Sequence, residues 1–415
     1  MDDSRVTDFP YRWLVLGVFS LLNLVVQLQW LTFAPIATIA QAHYQVTPLA
    51  IDMLSMVYML VFIVFSIPAS HIIDTFGLRT GVGIGAALLA LFGVLKAVFA
   101  DSYALVLVAQ IGLAVSQPFA MNAVTKLSAQ WFPVKERATA AGIVSLCQYL
   151  GFIVAMVLTP ILVAGSGGGT NLQGAFVIYA ILSVGSGALL LLFLRDRPAT
   201  PPSLNERTER YSTGEGLKHI FRQPSMIYLM ILFFVGLGMF NAVSTVIDQI
   251  GSAKGLSADQ SGLVGGIMII GGIIGAVIVP VWSDKVRKRR LFIVICAAGM
   301  VPGLLGIMLF HTYALLLVAG FVLGFFVMSA GPVGFQYSAE ISYPAPESSA
   351  QGLLILAGQV SGVIFILAMD SIGIAPLLVL FVVLLSGSVY LATRMKESPV
   401  ADVDSAAQVN PLAAE

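Results

Sequence analysis

Uninterrupted apolar runs of about 20 residues, the length a helix needs to cross a bilayer core of roughly 30 Å, recur along the whole chain. They fall at about 13–38, 52–73, 80–99, 103–127, 138–163, 173–194, 225–250, 262–282, 291–310, 313–338, 349–369 and 373–393. Within lipid a spanning segment must satisfy its own backbone hydrogen bonds, which leaves helices or a closed barrel. Barrel strands alternate polar and apolar residues; these runs do not, so twelve transmembrane helices are expected. Only 10% of the 415 residues are charged and 58% are hydrophobic, where a soluble domain carries roughly 25% charged residues. The excess apolar surface must meet lipid, and the bilayer is the first expected partner. A net charge of zero gives no reason to expect nucleic acid. Cys147 and Cys296 lie inside apolar runs and read as packing residues. Ala40-Gln41-Ala42 has the form of a signal-peptidase site, but the run before it is far longer than a signal core of about 7–15 residues, and no cleavage is expected.

Lysine and arginine mark the cytoplasmic side of a membrane protein. With the N-terminus in the cytoplasm, all of the 21 basic residues except Lys96 and Lys254 fall on that side. Both termini are then cytoplasmic. The longest polar stretch, about 195–223, divides the spans six and six. Sliding one half on the other by 210 positions brings Asp74 onto Asp284, Ser128-Ala129 onto Ser338-Ala339 and Gly142 onto Gly352. An internal duplication follows, with a six-helix bundle over 1–194, a cytoplasmic linker over 195–223, a second bundle over 224–396 and a disordered cytoplasmic tail over 397–415. Parallel six-helix repeats are a transporter architecture, with substrate held near the membrane midplane.

After the second span of each half comes a charged turn: Asp74-Thr75-Phe76-Gly77-Leu78-Arg79 in the first and Asp284-Lys285-Val286-Arg287 in the second. A carboxylate at a helix end beside a cationic turn can pair across to a neighbour and hold one face closed, and Gly77 permits the tight turn. Asp74, Gly77, Arg79, Asp284 and Arg287, with Glu136 and Arg137 between spans four and five, are therefore expected to gate. These two turns and Trp131-Phe132-Pro133 resemble the signature of the major facilitator superfamily, with Ser70 and Pro280 at the position where its leading glycine stands. The resemblance implies the major facilitator fold: an all-α membrane protein of two pseudo-symmetric six-helix bundles that rock about a central site.

Further stretches resemble one branch of that superfamily, the feline leukaemia virus subgroup C receptor family. They are Gln29-Trp30, Ala50–Met56 with Tyr58-Met59, Phe76–Thr80, Leu150-Gly151, Ser244-Thr245 with Gln249, and Gly324 to Pro344. The resemblance implies uniporter-like carriers of choline or ethanolamine; haem export has also been attributed to the family. It implies that Trp30 faces the substrate's quaternary amine, a role suited to an aromatic ring because a cation over a ring face gains roughly 0.5–2 kcal/mol. The chain departs from the branch where the substrate-facing glutamine of span five aligns with Tyr149, after Gln148, and where a glutamate of span ten is replaced by Gln336. The compact loops suggest a prokaryotic relative, placed in the cell's inner membrane.

Polar groups within spans are costly and default to functional roles. Asn23, Gln27 and Gln29 lie in span one, Gln117 and Asn122 in span four, Gln148 and Tyr149 in span five, Asn241 in span seven, Gln336 in span ten and Gln359 in span eleven. With Trp30 they are the expected substrate-binding set, a neutral polar cavity. Asn23 and Gln27 are four apart and share a helix face, and Pro118 after Gln117 marks a kink. No charged residue stands at the centre of a span; Lys96 and Asp248 are near outer ends and Glu340 near an inner end. Facilitated uniport by a monomer is expected, with Asp248 and Glu340 as possible coupling sites if a proton is carried; a proton-coupled drug or metabolite antiporter is the rival. No catalytic constellation, metal-spaced set or cofactor motif is present, and Gly165–Gly169 has no following Lys-Ser/Thr and reads as a turn.

Overall fold

The computed structural model describes residues 10–164, 171–196, 218–343, 345 and 347–398, with the side chains of 134, 135, 138 and 347–349 left aside. The central part of the expected linker (197–217), the glycine-rich turn (165–170) and the tail from 399 lie outside the described residues. The described residues form helices α1 Tyr11–Trp30, α2 Ala37–Tyr44, α3 Pro48–Phe76, α4 Leu78–Val98, α5 Tyr103–Met121, α6 Ala123–Trp131, α7 Val134–Val163 and α8 Leu172–Phe193. The second repeat supplies α9 Pro224–Thr245, α10 Ile247–Ser252, α11 Ala258–Val286, α12 Arg289–Leu309, α13 Tyr313–Ser342, α14 Glu347–Ile372 and α15 Ile374–Arg394. Among the described residues, twelve segments are long and apolar enough to cross a membrane, each overlapping one of the runs read from the sequence. Large apolar side chains stand bare on the outside of these helices, among them Ile67 at 80% and Leu192 at 73% exposure. Water would not tolerate such a surface; lipid does.

The duplication is visible residue by residue. Helices α3 and α11 have the same length, 29 residues, and start 210 positions apart. Four of the five described residues with positive φ pair at that same spacing: Gln45 (53°) with Gly255 (79°), and Gly77 (94°) with Arg287 (55°). A left-handed residue costs an ordinary side chain roughly 1–2 kcal/mol, yet the positive φ is present in both repeats, on a glycine at 77 and on an arginine at 287. The spacing breaks after α14. Residues 164–171 join α7 to α8, whereas Gly373 alone, at φ 90°, joins α14 to α15.

The first span differs most from a plain run. It extends over Tyr11–Tyr44 but is broken between Trp30 and Ala37, with a 3-10 turn at Ala34–Ile36. Pro35 has no N–H to continue the ladder. The Thr32 hydroxyl turns back to the carbonyls of Leu28 and Gln29, at 3.0 and 3.1 Å. The break therefore leaves these carbonyls satisfied, as lipid requires.

The chain divides into two compact units. One holds the first repeat together with Thr245–Gly266; the other holds the rest of the second repeat, up to Ser244 and from Ile267. The segment containing α10 and the start of α11 thus packs on the first repeat, a placement that chain order does not reveal. In the first unit α7 lies close on α1 at Gly151, where a Cβ would run into the Leu24 carbonyl.

Candidate functional site

In the first unit the polar residues of α1 meet partners one by one. Asn23 takes a hydrogen bond from Gln148 of α7 at 2.9 Å and donates to the Phe19 carbonyl at 3.0 Å. One turn on, Gln27 Oε1 accepts from Gln117 of α5 at 3.2 Å. The next turn ends the helix at Trp30. Its ring stacks on Tyr58 (centroids 5.9 Å, planes 12° apart) and meets Phe152 edge-on at 5.5 Å. Its indole N–H donates to the Ser55 carbonyl at 3.0 Å. An aromatic cluster from α1, α3 and α7 thus adjoins a ladder of neutral amides from α1, α5 and α7.

Around it, Ser55 Oγ, Tyr58 Oη, Gln110 Oε1 and Gln117 Oε1 are buried without a hydrogen-bond partner. Buried polar atoms are nearly always paired. Four orphans on α3 and α5 mark a region suited to a polar ligand or to water. The arrangement offers π faces and amide acceptors with no fixed charge, which suits a small organic cation better than an anion.

Other residues of the expected set lie in different networks. Gln29 donates to Ser183 Oγ (2.9 Å) and the Tyr179 carbonyl (3.4 Å) and accepts from Lys96, so its amide is engaged away from the Trp30 cluster. Asn122 donates to Ser66 O, Ser66 Oγ and Ser70 Oγ at 2.8–3.1 Å and ties the α5–α6 junction to α3. Tyr149 is half-buried. In the second unit Asn241 reaches the Gly358 carbonyl at 3.4 Å and Gln359 at 3.5 Å. Gln336 is exposed and donates to Glu340, one turn along α13, at 3.0 Å.

The charged turns are built from partners outside the motif itself. Asp74 pairs with Lys126 at 3.2 Å. Asp196 accepts the Arg79 backbone N–H at 2.7 Å, and its carboxylate sits where a Cβ on Gly77 would be, at 2.8 Å. Glycine at 77 is therefore required twice, by its φ and by this contact. Arg12, in the first turn of α1, pairs with Glu136 at 3.1 Å, and Arg137 donates to the Phe132 carbonyl at 3.2 Å. In the second unit Arg289 bonds both Asp284 and Glu340, and Ser398 donates to Glu340. Glu340 is thus enclosed in a salt-bridged cluster.

Asp248, on α10, lies in the first unit. Its Oδ2 accepts from both the N–H (2.7 Å) and the hydroxyl (2.6 Å) of Thr38, while Oδ1 is buried without a partner. Beside it Gln249 donates to Asp52 at 2.6 Å. Burial pushes the Asp248 carboxyl above the usual carboxylate range, against the pull of the two Thr38 bonds and of the Ser261 hydroxyl.

The profile of the Major Facilitator Superfamily matches residues 19–400. The chain belongs to that superfamily. Among individual relatives it is 30% identical to the choline/ethanolamine transporter FLVCR1 of Felis catus, over 86% of this chain and 67% of the feline protein. It is 30% identical to solute carrier family 49 member A3 of Danio rerio, over 89% and 80%, and 28% identical to the choline/ethanolamine transporter FLVCR2 of Homo sapiens, over 87% and 72%. A crystal structure of a bacterial homologue of the lysosomal transporter Spinster, inward-facing and unoccupied, shares the fold with a TM-score of 0.76 at 15% identity, over 93% of this chain and 97% of that one. The protein is accordingly a multi-pass membrane transporter of the major facilitator fold and not an enzyme, and the resemblance to the feline leukaemia virus subgroup C receptor family holds over most of the chain.

As a member of this superfamily the chain shows where reading by type ran short. Asn23, Gln27, Gln117, Gln148 and Trp30 come together as a set read from the spans. Tyr58 and Phe152 stand outside the expected binding set because an aromatic residue in an apolar run gives no polar signal. Lys126, Asp196 and Arg12, the partners of the charged turns, are far from them in the chain. Lys96, expected near a span end, is wholly buried.

Proposed function

We propose that this superfamily member carries a small organic amine of the choline or ethanolamine class across the membrane by alternating access, as a facilitated uniporter. The observation that supports this most is the Trp30–Tyr58–Phe152 cluster beside the neutral amide ladder. A quaternary ammonium has no N–H to donate, and aromatic faces are the groups that hold it, each worth roughly 0.5–2 kcal/mol. The names of the feline and human relatives point to the same solutes. Asn23, Gln27, Gln117 and Gln148 are assigned to the polar part of the solute. In this reading the turns at Asp74 and Asp284 face the cytoplasm and gate it, while the Thr38–Asp248 pair lies at the opposite end.

A second reading, a proton-coupled carrier, has one observation in its favour: Asp248 is a buried carboxylate with one oxygen unpartnered. Uptake of radiolabelled choline into proteoliposomes separates the two. Saturable uptake that is lost in Trp30→Ala and indifferent to an imposed pH gradient is expected for the uniporter. Uptake driven by the gradient and abolished in Asp248→Asn would establish the coupled carrier instead, and no choline flux in the wild type would overturn the choline assignment.

A further inference from the structure

Lys96 lies two residues from the end of α4, where a lysine usually extends its chain to the interface and keeps its ammonium in water. Here it does not: the residue has no exposed surface at all. A buried ammonium is costly unless it is hydrogen-bonded, and among the described residues Lys96 is bonded to no carboxylate. Its Nζ donates to Gln29 Oε1 and, at 3.4 Å, to Thr32 Oγ1. Phe176 and Phe33 present their rings at 5.0 and 5.5 Å from Nζ. An amide oxygen, a hydroxyl and two aromatic faces therefore enclose the cation.

Both acceptors flank the point where α1 stops. Trp30 is its last residue, Gln29 the one before, and Thr32 the residue whose hydroxyl closes the carbonyls of the broken turn. A helix C-terminus carries partial negative charge, and a cation there is favourable. With its Oε1 held by Lys96, the Gln29 amide group is left to donate to Ser183 Oγ and the Tyr179 carbonyl of α8. Gly93, one turn before Lys96, admits this approach: a Cβ there would lie 2.9 Å from Ser183 Cβ and 3.7 Å from Gln29 Nε2. The α1 end is thus fastened through Gln29 to α4 and α8 and through the Trp30 indole to α3.

We propose that Lys96 is a positioning residue for the substrate site, its ammonium clasping the break in the first span and so fixing where the Trp30 ring stands. The inference rests on the reading of Trp30 as the amine-holding residue, but its first test does not require any substrate.

The chain has four tryptophans. With Trp13, Trp131 and Trp282 replaced by phenylalanine, fluorescence reports on Trp30 alone. Lys96→Met keeps the length of the side chain and removes its charge and donors; Lys96→Arg keeps both. Acrylamide quenching of Trp30 is expected at least to double in Lys96→Met and to stay at the parent value in Lys96→Arg. Quenching unchanged in Lys96→Met, or raised equally in both, overturns the proposal. Should Lys96→Met not yield folded protein, Thr32→Val, which removes only the hydroxyl bridge, carries the same test: quenching must rise, and an unchanged value overturns the proposal. Choline uptake with all four tryptophans in place supplies the functional arm. Lys96→Met should raise KM about tenfold, or about 1.4 kcal/mol, with Vmax nearly unchanged, and Lys96→Arg should restore it; a fall in Vmax alone in Lys96→Met counts against positioning. If the wild type moves no choline, the substrate reading fails while the quenching result still decides the role of Lys96.

Discussion

Thr38 and Asp248 stand 210 residues apart, the spacing that superposes the two repeats, and they bond to each other through two hydrogens on one carboxylate oxygen. The pair joins α2 to α10, the short helices that follow α1 and α9. It is therefore a latch between α2 and α10, both in the first unit.

The latch should respond to pH, with a sign fixed by the burial of Asp248. Its carboxyl is raised above the ordinary value of 3.8 while buried and returns toward it when the latch opens to water. Closing thus takes up a proton. Acid favours the latched form: the gain is complete below about the ordinary value and is lost as pH rises through the raised one. Asp248→Asn resembles the protonated form and keeps an oxygen for Thr38. Measured as the labelling rate of a cysteine placed at Ser257, opening should slow as pH falls in the wild type and be slow and pH-independent in Asp248→Asn.

The amide ladder can be divided into packing and binding by a double substitution. Gln117→Leu leaves Gln27 Oε1 without its donor, and a buried acceptor left unsatisfied costs about 1–3 kcal/mol. Replacing both partners by leucine removes the unmet group and should recover most of that loss. Thermal unfolding in detergent should show the double variant more stable than Gln117→Leu alone. If the amides also hold the solute, the double variant should still bind choline weakly; full recovery of binding would leave the ladder with a packing role only.

The sequence made the number of spans, the duplication and the positions of both charged turns legible because each depends on local composition or on spacing along the chain. The broken first span was less legible: Leu31–Ala37 is apolar throughout apart from Thr32, and only the Pro35 and Thr32 geometry shows that the helix stops. The partners of Asp74, Arg79 and Glu136 were hidden for a different reason. Lys126, Asp196 and Arg12 lie between 52 and 124 residues away, and no local pattern links them. Gln29 is expected at the site as a polar residue of span one and Trp30 by the family resemblance, yet neighbours on a helix point about 100° apart, and here one joins Lys96 and Ser183 while the other joins Tyr58.

The charged turns should matter to exchange more than to stability. Asp74 is 73% exposed in its pair with Lys126, and an exposed ion pair contributes about 0–1 kcal/mol. Asp74→Asn and Asp284→Asn should therefore lower Tm little while changing the rate at which the protein passes between inward- and outward-open states, followed by single-molecule energy transfer between labels on the two repeats. Exchange rates equal to wild type in both variants would remove these residues from gating.

Arg287 offers the cleanest stability test of the duplication. It holds φ at 55° at the position where the first repeat has Gly77. A β-carbon in that region costs roughly 1–2 kcal/mol, and glycine gives back part of the gain through the greater freedom of its unfolded chain. Arg287→Gly is thus expected to stabilise by up to about 1 kcal/mol. The reverse change, Gly77→Arg, should cost more than Arg287→Gly gains. It adds the φ penalty and also drives a Cβ to within 2.8 Å of the Asp196 carboxylate that accepts the Arg79 N–H. Tm values for the two variants, measured in one detergent, check both signs. A destabilised Arg287→Gly would mean that the arginine side chain holds its turn more strongly than the backbone resists it, and the equivalence of the two turns would then be one of conformation and not of energetics.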